Sequence, residues 1–479
     1  MHFDFVFPVL NDVPNQLWFT DTKKKTKAGE RSWLEARPVS ELDFFINIGE
    51  ELQRRGKTVA FIATTPRIQQ RLRERFEEVF YAYEGLVRRR AVPAQEVWEL
   101  ERTYRIGSLR GWVYAERAYD WALDYDDLLP RAVHLLRYMD RFVTEHSVGV
   151  FINNIGGELI RRAMAAVGAV HGVENLIFDF VALPQRFGLT NEETGLRLPL
   201  APEQASEEDL AWARGYLGEL RGRRKPWMPA SPLGFERGNF ERAFAAVAAT
   251  PYQKDVSIRR LLGERARRVA RRIAGSALWE QVRPGERYVF FPVHLPNDTV
   301  VTLRAPQFQR QDELVQFIAE RALPADTKLY VKPHIGARDS FPIDFLTKIR
   351  RLPNVRLVAP ATNPHDLIEK ALVTIVINST AGFESIVHER PTVVLGKPWY
   401  AHQGLTVDVA RLDDLPGAME QALSFRPPVD RLLHFLAHYR NMTYEGTYGW
   451  ADPENVAKLA SVLVARLDLR SQPVAAVAS

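Results

Sequence analysis

Short apolar runs alternate with amphipathic helical segments over most of the chain. In the first half, runs with strand character lie at Phe3–Leu10, Thr58–Thr64, Phe80–Tyr83, Val148–Asn153 and Asn175–Phe180. Helical stripes separate them, and two of these stripes start at residues suited to a helix N-terminus, Ser40 and Pro66. Strands that alternate with helices in this way predict a parallel sheet covered by helices on both faces.

The same alternation restarts after a break in the middle of the chain. Between Leu198 and Arg272 the pattern is helical and irregular, and it is interrupted by several prolines. Beyond the break, strand-like runs lie at Tyr288–Val293, Lys328–Lys332, Val355–Val358, Val373–Asn378 and Thr392–Leu395. The helical segments between them are Asp312–Ala322, Pro342–Leu352, Pro364–Ala371 and Gly382–His388. The pattern therefore predicts two α/β halves of similar design.

The end of the irregular stretch suggests a domain boundary near residue 275. We expect an N-terminal Rossmann-like domain with helical insertions over residues 1–275 and a C-terminal Rossmann-like domain over 276–425. The remaining segment, 426–479, reads as helices with a disordered tail, and we expect these helices to cross back to the N-terminal domain. Two such domains facing a central cleft describe the GT-B architecture. The expectation that the last helices cross back is made by analogy to this architecture. Within the first domain, the aromatic-rich stretch 84–144 is expected to be helical, with its aromatic side chains in the core.

Composition narrows the class of protein. The chain has 479 residues, of which 46% are apolar and 26% charged, so it is folded and too long for one ordinary core. It has no cysteine, which excludes disulfides, thiolate metal sites and a cysteine nucleophile. Its N-terminus lacks a secretory signal, and its apolar runs are too short to span a bilayer. We therefore expect a cytoplasmic protein.

Two basic segments stand out against a modest net charge of +5, namely Arg221–Lys225 and Arg259–Arg272. For the second segment, a solvated helix face is the simpler interpretation. Contact with an anionic glycan, or with an anionic membrane surface at the inner face of the cell membrane, is the alternative. Because no nucleic-acid-binding module accompanies these segments, nucleic acid is not an expected partner.

Polar residues follow the apolar strands of the C-terminal half, where ligands of open α/β sheets bind. The run Asn378–Gly382 leads from a strand into a helix, so its hydroxyl and N–H groups can meet a phosphate while Gly382 keeps the approach open. Glu384, in the first helical turn, can accept a hydrogen bond from a ribose hydroxyl. The alternative is that Ser379 or Thr380 simply caps the helix.

Two neighbouring strand ends add charged groups. Lys332 and His334 end one strand and can neutralise a phosphate leaving group, although a surface loop with a half-buried histidine is the alternative. His294 and Asp298 follow the first strand of this half and can contact the sugar or its acceptor, but Asp298 can equally cap a turn. Because all three strand ends lie at one edge of a parallel sheet, they predict one nucleotide-sugar site.

Carboxylates follow the strands of the N-terminal half. Asp179 lies inside an apolar strand, where a carboxylate is costly to bury unless it is paired or functional. Glu158 follows a glycine pair at the start of a helix, where a simple first-turn acid is the alternative. Glu192 and Glu193 are third choices in a polar loop. We expect Asp179 first and Glu158 second to act in catalysis, with Asp298 of the other half as a further candidate.

The motifs of the C-terminal half are similar to those of a known family. They comprise Lys332-Pro333-His334 and the runs Asn378–Glu384, Glu389–Gly396 and Tyr400–Thr406. Together they resemble the bacterial capsule polysaccharide biosynthesis family, and a fainter similarity extends over Val148–Gly195. Two departures are Ile335, where the family has proline, and the acidic element around Asp179, which is shorter here.

The resemblance implies a GT-B glycosyltransferase, because characterised members of the family are β-Kdo transferases that use CMP-Kdo. It implies that His334, Ser379 and Thr380 contact the cytidine phosphate, and that the acceptor is lipid-linked or a surface polysaccharide. Since cationic groups and helix N–H groups can neutralise the phosphate, no metal and no cofactor are expected. The alternatives are a UDP-sugar transferase or epimerase of the same fold, a CDP-glycerol-type transferase, and a non-catalytic capsule-assembly binding protein.

Overall fold

The computed structural model describes residues 1–12, 39–87, 90–119, 125–191, 193, 195–222, 277–296, 298–334 and 341–471, with isolated residues between 266 and 275. The described residues up to 196 and from 443 onward form one compact unit, and those between 197 and 442 form a second. Most of the basic segment Arg259–Arg272, most of Arg221–Lys225, Glu192 and the tail from Gln472 lie outside the described residues.

The first unit is built on a mainly parallel sheet. Its strands are β1 (His2–Val9), β2 (Val59–Ala63), β3 (Val79–Tyr81), β4 (Ser147–Asn154), β5 (Glu174–Phe180) and β6 (Arg186–Thr190). They are ordered β6-β5-β4-β1-β2-β3, and β6 alone of these runs antiparallel to its neighbour. The strand order therefore reverses between β1 and β4, as in doubly wound nucleotide-binding folds.

Helices cover both faces of this sheet. They are α1 (Glu41–Arg54), α2 (Pro66–Arg73), α3 (Ala94–Thr103), α4 (Leu109–Tyr119), α5 (Tyr125–Glu145) and α6 (Leu159–His171). Ser40 caps α1 by accepting from the Asp43 N–H, and Gly172 ends α6 with a φ of 72°. Along β1, Phe5 packs into the apolar cluster on one face and Val6 into the cluster on the other. The alternation of side chains thus builds two cores on one sheet.

The aromatic-rich stretch is helical but only partly buried. Tyr104 and Trp112 lie in the core, whereas Trp98 is 59% exposed and Tyr114 is 55% exposed. The expectation that these aromatic side chains fill the core therefore holds for only some of them.

The second unit repeats the doubly wound design with parallel strands throughout. The strands are β7 (Tyr288–Val293), β8 (Lys328–Pro333), β9 (Val355–Leu357), β10 (Thr374–Val376), β11 (Thr392–Val394) and β12 (Val407–Asp408). Their order is β12-β11-β10-β7-β8-β9, so the reversal lies between β7 and β10. The prediction of an α/β protein with two Rossmann-like domains is confirmed.

The first helix of the second unit precedes all of its strands along the chain. They are α7 (Glu207–Gly222), α8 (Thr299–Thr302), α9 (Gln311–Phe317), α10 (Ile343–Arg350), α11 (Pro364–Lys370), α12 (Thr380–Val387), α13 (Leu415–Ser424) and α14 (Val429–Asn441). The helix predicted over Asp312–Ala322 is α9 continued by a π-helical turn over Ile318–Ala322. The apolar core lies between the sheet and these helices.

The end of the chain returns to the first unit. Strand β13 (Tyr444–Glu445) pairs antiparallel with β6, and α15 (Pro453–Ser471) packs against α1. Helix α7 instead belongs to the second unit, where Arg221 at its end reaches the Val387 carbonyl (3.0 Å) and Glu389 (2.6 Å). The chain thus enters the second unit near residue 197 rather than 275, and α14 belongs to that unit. Among the described helices, none has both the length and the apolar character needed to cross a membrane.

Candidate functional site

Three neighbouring strand ends of the second unit bring predicted polar residues to one edge. His294 follows β7, Lys332 and His334 lie at the end of β8, and Asn378 and Ser379 follow β10. Strand β7 pairs with both β8 and β10, and the reversal of strand order lies beside it. Open α/β sheets bind ligands at such a point, beyond the carboxyl ends of the strands. We call these three strand ends the β7–β8–β10 edge.

His294 is held through both its backbone and its ring. Its N–H donates to the Gln311 side chain (2.8 Å), whose amide donates back to the His294 carbonyl (3.0 Å). The ring Nε2 accepts from the Asn378 N–H at 3.4 Å. Burial lowers the pKa of His294 to about 4, with Asp298 opposing this effect and His334 adding to it. At neutral pH the ring is therefore uncharged, with its proton on Nδ1.

Lys332 supplies a buried positive charge at this edge. The residue is only 7% exposed. Burial, and then the charge of Lys332, lower the pKa of His334. Burial also raises the pKa of Glu384 to about 8, against the opposing effect of Lys332. Lys332 therefore carries its charge beside a neutral histidine and a protonated carboxyl, an arrangement that favours an anionic ligand.

The side chain of Asn378 forms two hydrogen bonds within the protein. Its side chain donates to the Val300 carbonyl (3.1 Å) and accepts from the Lys397 N–H (2.7 Å). A Cβ on Gly396 would overlap this side chain, so glycine is needed there. The amide of Asn378 thus ties the segments that follow β7 and β11 to the end of β10. Contact of this residue with a nucleotide-sugar stays a prediction.

The start of α12 combines a helix cap with an exposed hydroxyl. The Ser379 hydroxyl accepts from the Ala381 N–H (3.2 Å), which is the capping role that the sequence offered as an alternative. Thr380 is exposed. Gly382 makes room for a neighbour, because a Cβ there would lie 2.9 Å from both Tyr400 Cζ and Val376 Cγ2. The glycine is therefore required by internal packing, and its role in the approach of a phosphate stays a prediction.

Glu384 lies inside the protein. It is 7% exposed, and its Oε2 lies 3.9 Å from Nε2 of the buried His365. The side chain is turned into the core by α12, and a hydrogen bond from a ribose hydroxyl to this carboxyl stays a prediction.

Asp298 caps α8, the second of the roles that the sequence allowed. Its carboxylate accepts from the Val300 N–H (3.0 Å) and its carbonyl from the Thr302 N–H (2.8 Å). It also raises the pKa of His294 and of His334, although burial dominates both. Asp298 is thus both a cap and an acidic neighbour of the two histidines.

The carboxylates predicted in the first unit differ in how they are engaged. Asp179 is 5% exposed and lies where β5 pairs with β6. Its Oδ2 accepts from the Leu196 N–H at 2.7 Å, which fixes the loop after β6. Glu158 precedes α6 and binds Arg161, with 2.9 Å between Oε2 and Nε, while 22% of its side chain stays exposed.

Glu193 belongs to a second pair in this region. Its Oε2 lies 3.8 Å from Nε of Arg162, whose guanidinium lies over the Trp112 ring. Burial raises the pKa of Glu193 and lowers that of Arg162 to about 10, and in each case the partner opposes the effect. The attraction between the two charges therefore offsets only part of the cost of burying them.

Several residues that shape these sites were not predicted to be site residues. Gln311, Tyr400, Glu41 and Glu116 reach the sites from distant parts of the chain. Arg161 lies within Val148–Gly195, the stretch of fainter family similarity, and the acid Glu158 three residues earlier is the sequence signal for its ion pair. Within the described ranges, no group of three or more His, Cys, Asp or Glu residues is placed to hold a metal ion.

The two doubly wound units place the chain in the α/β class of folds. The model of one sequence family, capsule polysaccharide biosynthesis protein, matches residues 245–420. This range contains every site residue of the second unit, so the resemblance that the sequence predicted is confirmed for this part of the chain. The match supports a role in capsule polysaccharide synthesis.

Solved structures with a similar arrangement are distant from this chain. The β-Kdo 2,4 transferase of Thermosulfurimonas dismutans KpsC is 15% identical and covers 67% of this chain and 92% of its own, with a TM-score of 0.37. The β-Kdo 2,7 transferase of the same protein is 14% identical over 68% and 89%, with a TM-score of 0.31.

A UDP-GlcNAc 2-epimerase from Methanocaldococcus jannaschii, solved with UDP-GlcNAc and UDP, is 8% identical over 97% and 100%, with a TM-score of 0.30. These likenesses are too distant to assign a substrate to this chain. No curated protein sequence matches the chain.

Proposed function

We propose that the chain is a glycosyltransferase of capsule polysaccharide synthesis that binds its nucleotide-sugar donor at the β7–β8–β10 edge. The observation that supports it is the convergence of His294, Lys332 and His334 with the start of α12, beside the reversal of strand order. Lys332 neutralises a donor phosphate, and the positive end of the α12 dipole adds to this effect. This stretch lies within the family match.

Within this class we propose CMP-Kdo, or another CMP-linked acidic sugar, as the donor. The support is the resemblance of Lys332-Pro333-His334 and of Ser379-Thr380 to the elements that hold CMP in the family. His334 and the exposed Thr380 then contact the cytidine phosphate, while Ser379 orders the helix start. A UDP-sugar or CDP-glycerol donor is the competing choice on the same edge.

Transfer needs a carboxylate that faces the reacting groups, as base or as nucleophile. Asp179, Glu158 and Asp298 are the candidates. Asp179 holds a loop and Asp298 caps a helix, whereas the Glu158 side chain does not cap the helix that it precedes and stays partly exposed. The geometry therefore favours Glu158, and we expect Glu158→Gln to abolish transfer while Asp179→Asn acts mainly through the loop.

We further propose that the reaction needs no metal and no cofactor, because Lys332 and the α12 dipole can carry the phosphate charge in the transition state. Full turnover in the presence of excess EDTA is the expected result. Loss of turnover with EDTA that Mg²⁺ or Mn²⁺ restores would contradict it.

A lipid-linked or surface-polysaccharide acceptor would bring the protein to the inner face of the cell membrane. We propose peripheral binding to anionic lipid on this basis and on the basic segment Arg259–Arg272. Co-sedimentation with vesicles that contain anionic lipid, and not with neutral vesicles, is expected. Equal binding to both would overturn this part.

The direct test of the function combines the purified chain with CMP-Kdo and soluble acceptors that end in Kdo or in a neutral sugar. The release of CMP and the mass of the glycan are followed, with UDP-GlcNAc as a parallel donor. We expect CMP release and an acceptor heavier by one sugar. Binding of CMP-Kdo without any turnover would favour a non-catalytic binding protein, and turnover of UDP-GlcNAc alone would favour the UDP-sugar alternative.

A further inference from the structure

We propose that Arg161 and Glu41 are positioning residues, which hold the Glu158 carboxylate ready for a hydroxyl group of the sugar acceptor. The site lies in the first unit at the reversal of strand order between β1 and β4. The inference rests on the proposed transferase function and assigns a task to the polar end of the first sheet.

Glu158 occupies the N-cap position of α6 but does not cap the helix with its side chain. The first amide of the helix, that of Leu159, donates instead to the Glu116 carboxylate at 3.1 Å. A side chain from another helix thus satisfies one of the free N–H groups at the start of α6. The Glu158 carboxylate is left for a different role.

Gly156 makes this placement possible. A Cβ at this position would lie 2.9 Å from Glu158 Cδ and 3.1 Å from Arg161 Nε, and it would overlap the Glu158 carboxylate. The carboxylate–guanidinium pair therefore fills the space that the glycine leaves open. The absence of a Cβ at Gly156 therefore lets the Glu158 carboxylate take the orientation in which it binds Arg161.

Arg161 connects Glu158 to the core of the unit. Its side chain is 7% exposed, with Nε on Glu158 (2.9 Å) and Nη2 on Glu41 Oε1 (2.6 Å). Glu41 Oε1 also accepts from the Asn154 amide at 2.5 Å. Its Oε2 accepts from the N–H groups of Leu10 (2.9 Å) and Asn11 (3.0 Å), just after β1. The guanidinium is thus anchored by the ends of both strands that flank the reversal.

This anchoring leaves Glu158 oriented but still accessible. Arg161 is its hydrogen-bond partner among the described residues, and the bond uses Oε2 alone. Oε1 can therefore accept from a ligand hydroxyl at the carboxyl end of the sheet. In the transfer step the proton of the acceptor hydroxyl passes to Glu158. The acceptor oxygen bonds to the anomeric carbon, and the bond from that carbon to the CMP phosphate breaks, its electron pair leaving with CMP.

The experiment compares Arg161→Lys and Gly156→Ala in the full chain. Lysine keeps the charge but cannot contact Glu158 and Glu41 as a fork, and alanine displaces the carboxylate without removing any charge. We expect kcat with CMP-Kdo to fall by roughly 10- to 100-fold in each, because small misplacement of a reacting group costs that much. The KM for CMP-Kdo and the affinity for CMP should stay within about twofold. Arg54→Lys, on an exposed arginine, and Gly218→Ala, with open space around it, are the matched controls.

Melting temperatures of all variants accompany the kinetics. Variants that melt lower but turn over at the wild-type kcat would show a purely structural ion pair and overturn the inference. The same holds if both variants lose the fold of the first unit. A wild-type chain that never turns over CMP-Kdo would instead overturn the proposed function itself, so the two failures are distinguishable.

Discussion

Gly382 has no Cβ, and this leaves room for Tyr400 to pack against the start of α12. Tyr400 is fully buried, and its hydroxyl donates to the Ser379 carbonyl at 2.5 Å. The phenol thereby satisfies a backbone acceptor beside the β7–β8–β10 edge and fixes where α12 begins. At the scale of residues, the β7–β8–β10 edge thus depends on buried side chains such as Tyr400 as well as on its polar residues.

Gly382→Ala should therefore destabilise the protein. The added methyl group would meet Tyr400 Cζ and Val376 Cγ2 at 2.9 Å, so the tyrosine or the helix must move. We expect a loss of about 1–3 kcal/mol in the free energy of unfolding, measured by urea denaturation. Gly417→Ala in α13, with nothing within 4 Å, is the control and should be neutral or slightly stabilising. Equal stability of Gly382→Ala and wild type would show that Tyr400 is not packed as described.

Glu384 predicts a pH dependence of stability. Burial raises its pKa from 4.5 to about 8, so between these values the folded state holds a proton that the unfolded state has released. Its contribution to stability is therefore complete below pH 4.5 and is lost as the pH rises towards 8. We expect the free energy of unfolding of wild type relative to Glu384→Gln to fall by roughly 2–4 kcal/mol between pH 5 and pH 8. Exposed Glu420→Gln serves as the control, and a pH-independent difference for Glu384→Gln would contradict the burial of the carboxyl.

Some residue roles could be predicted from sequence and others could not. The caps formed by Ser379 and Asp298 involve partners two residues away, so a short stretch of sequence contains both participants. The space around Gly382 is taken by Tyr400, eighteen positions later, and sequence alone cannot place that contact. The burial of Glu384 similarly depends on how α12 is rotated against the sheet.

At the scale of elements, the Asn378 side chain couples three segments of the second unit. It joins the end of β10 to Val300 in α8 and to Lys397 after β11. These segments approach the same edge, so their relative positions depend on one buried amide.

Asn378→Ala should weaken both stability and nucleotide binding. Loss of the two hydrogen bonds leaves a partly buried carbonyl and N–H without their partner, at a cost of about 1–3 kcal/mol. We expect CMP affinity to fall at least several-fold as α12 shifts, measured by calorimetry. Asn354→Ala removes a comparable amide bond to the Ala319 carbonyl (2.6 Å) and is the matched control. If both variants lose equal stability and Asn378→Ala still binds CMP like wild type, the coupling of these segments to the site is disproved.

Most strands were predictable because apolar runs between helical stripes leave few other interpretations. The missed strands are β6, β12 and β13, of which β12 and β13 have two residues each. Strand β6 contains a glycine and a charged residue and lies between β5 and the edge strand β13, antiparallel to both. Short edge strands are fixed by their partners rather than by their own pattern, so they carry little signal.

At the scale of the whole molecule, each unit has its own sheet, core and polar edge. The first unit is completed by α15 from the far end of the chain, whose Leu459 and Leu463 are fully buried there. The sequence indicated two halves, but it did not indicate that the chain enters the second unit as early as residue 197. The contacts of α7 with α14 and with Glu389 join residues more than 150 positions apart, which local patterns cannot reveal.

Leu463→Ala tests this division. The cavity left in the first unit should lower the free energy of unfolding by about 2–5 kcal/mol, measured by chemical denaturation. Because Leu463 belongs to the first unit and the proposed nucleotide site to the second, CMP affinity below the unfolding transition should match wild type. A fall in CMP affinity of tenfold or more would show that the site depends on the first unit's core.

The central claim is that the β7–β8–β10 edge of the second unit binds the CMP part of a sugar donor. Isothermal titration of the full chain with CMP, UDP and GDP tests it most directly, with Lys332→Met as the site variant and exposed Lys458→Met as its control. We predict that CMP binds to the wild type and to the control, that UDP and GDP bind at least tenfold more weakly, and that Lys332→Met lowers CMP affinity by at least tenfold. Tight binding of UDP without binding of CMP, or CMP binding that is unchanged in Lys332→Met, would contradict the account.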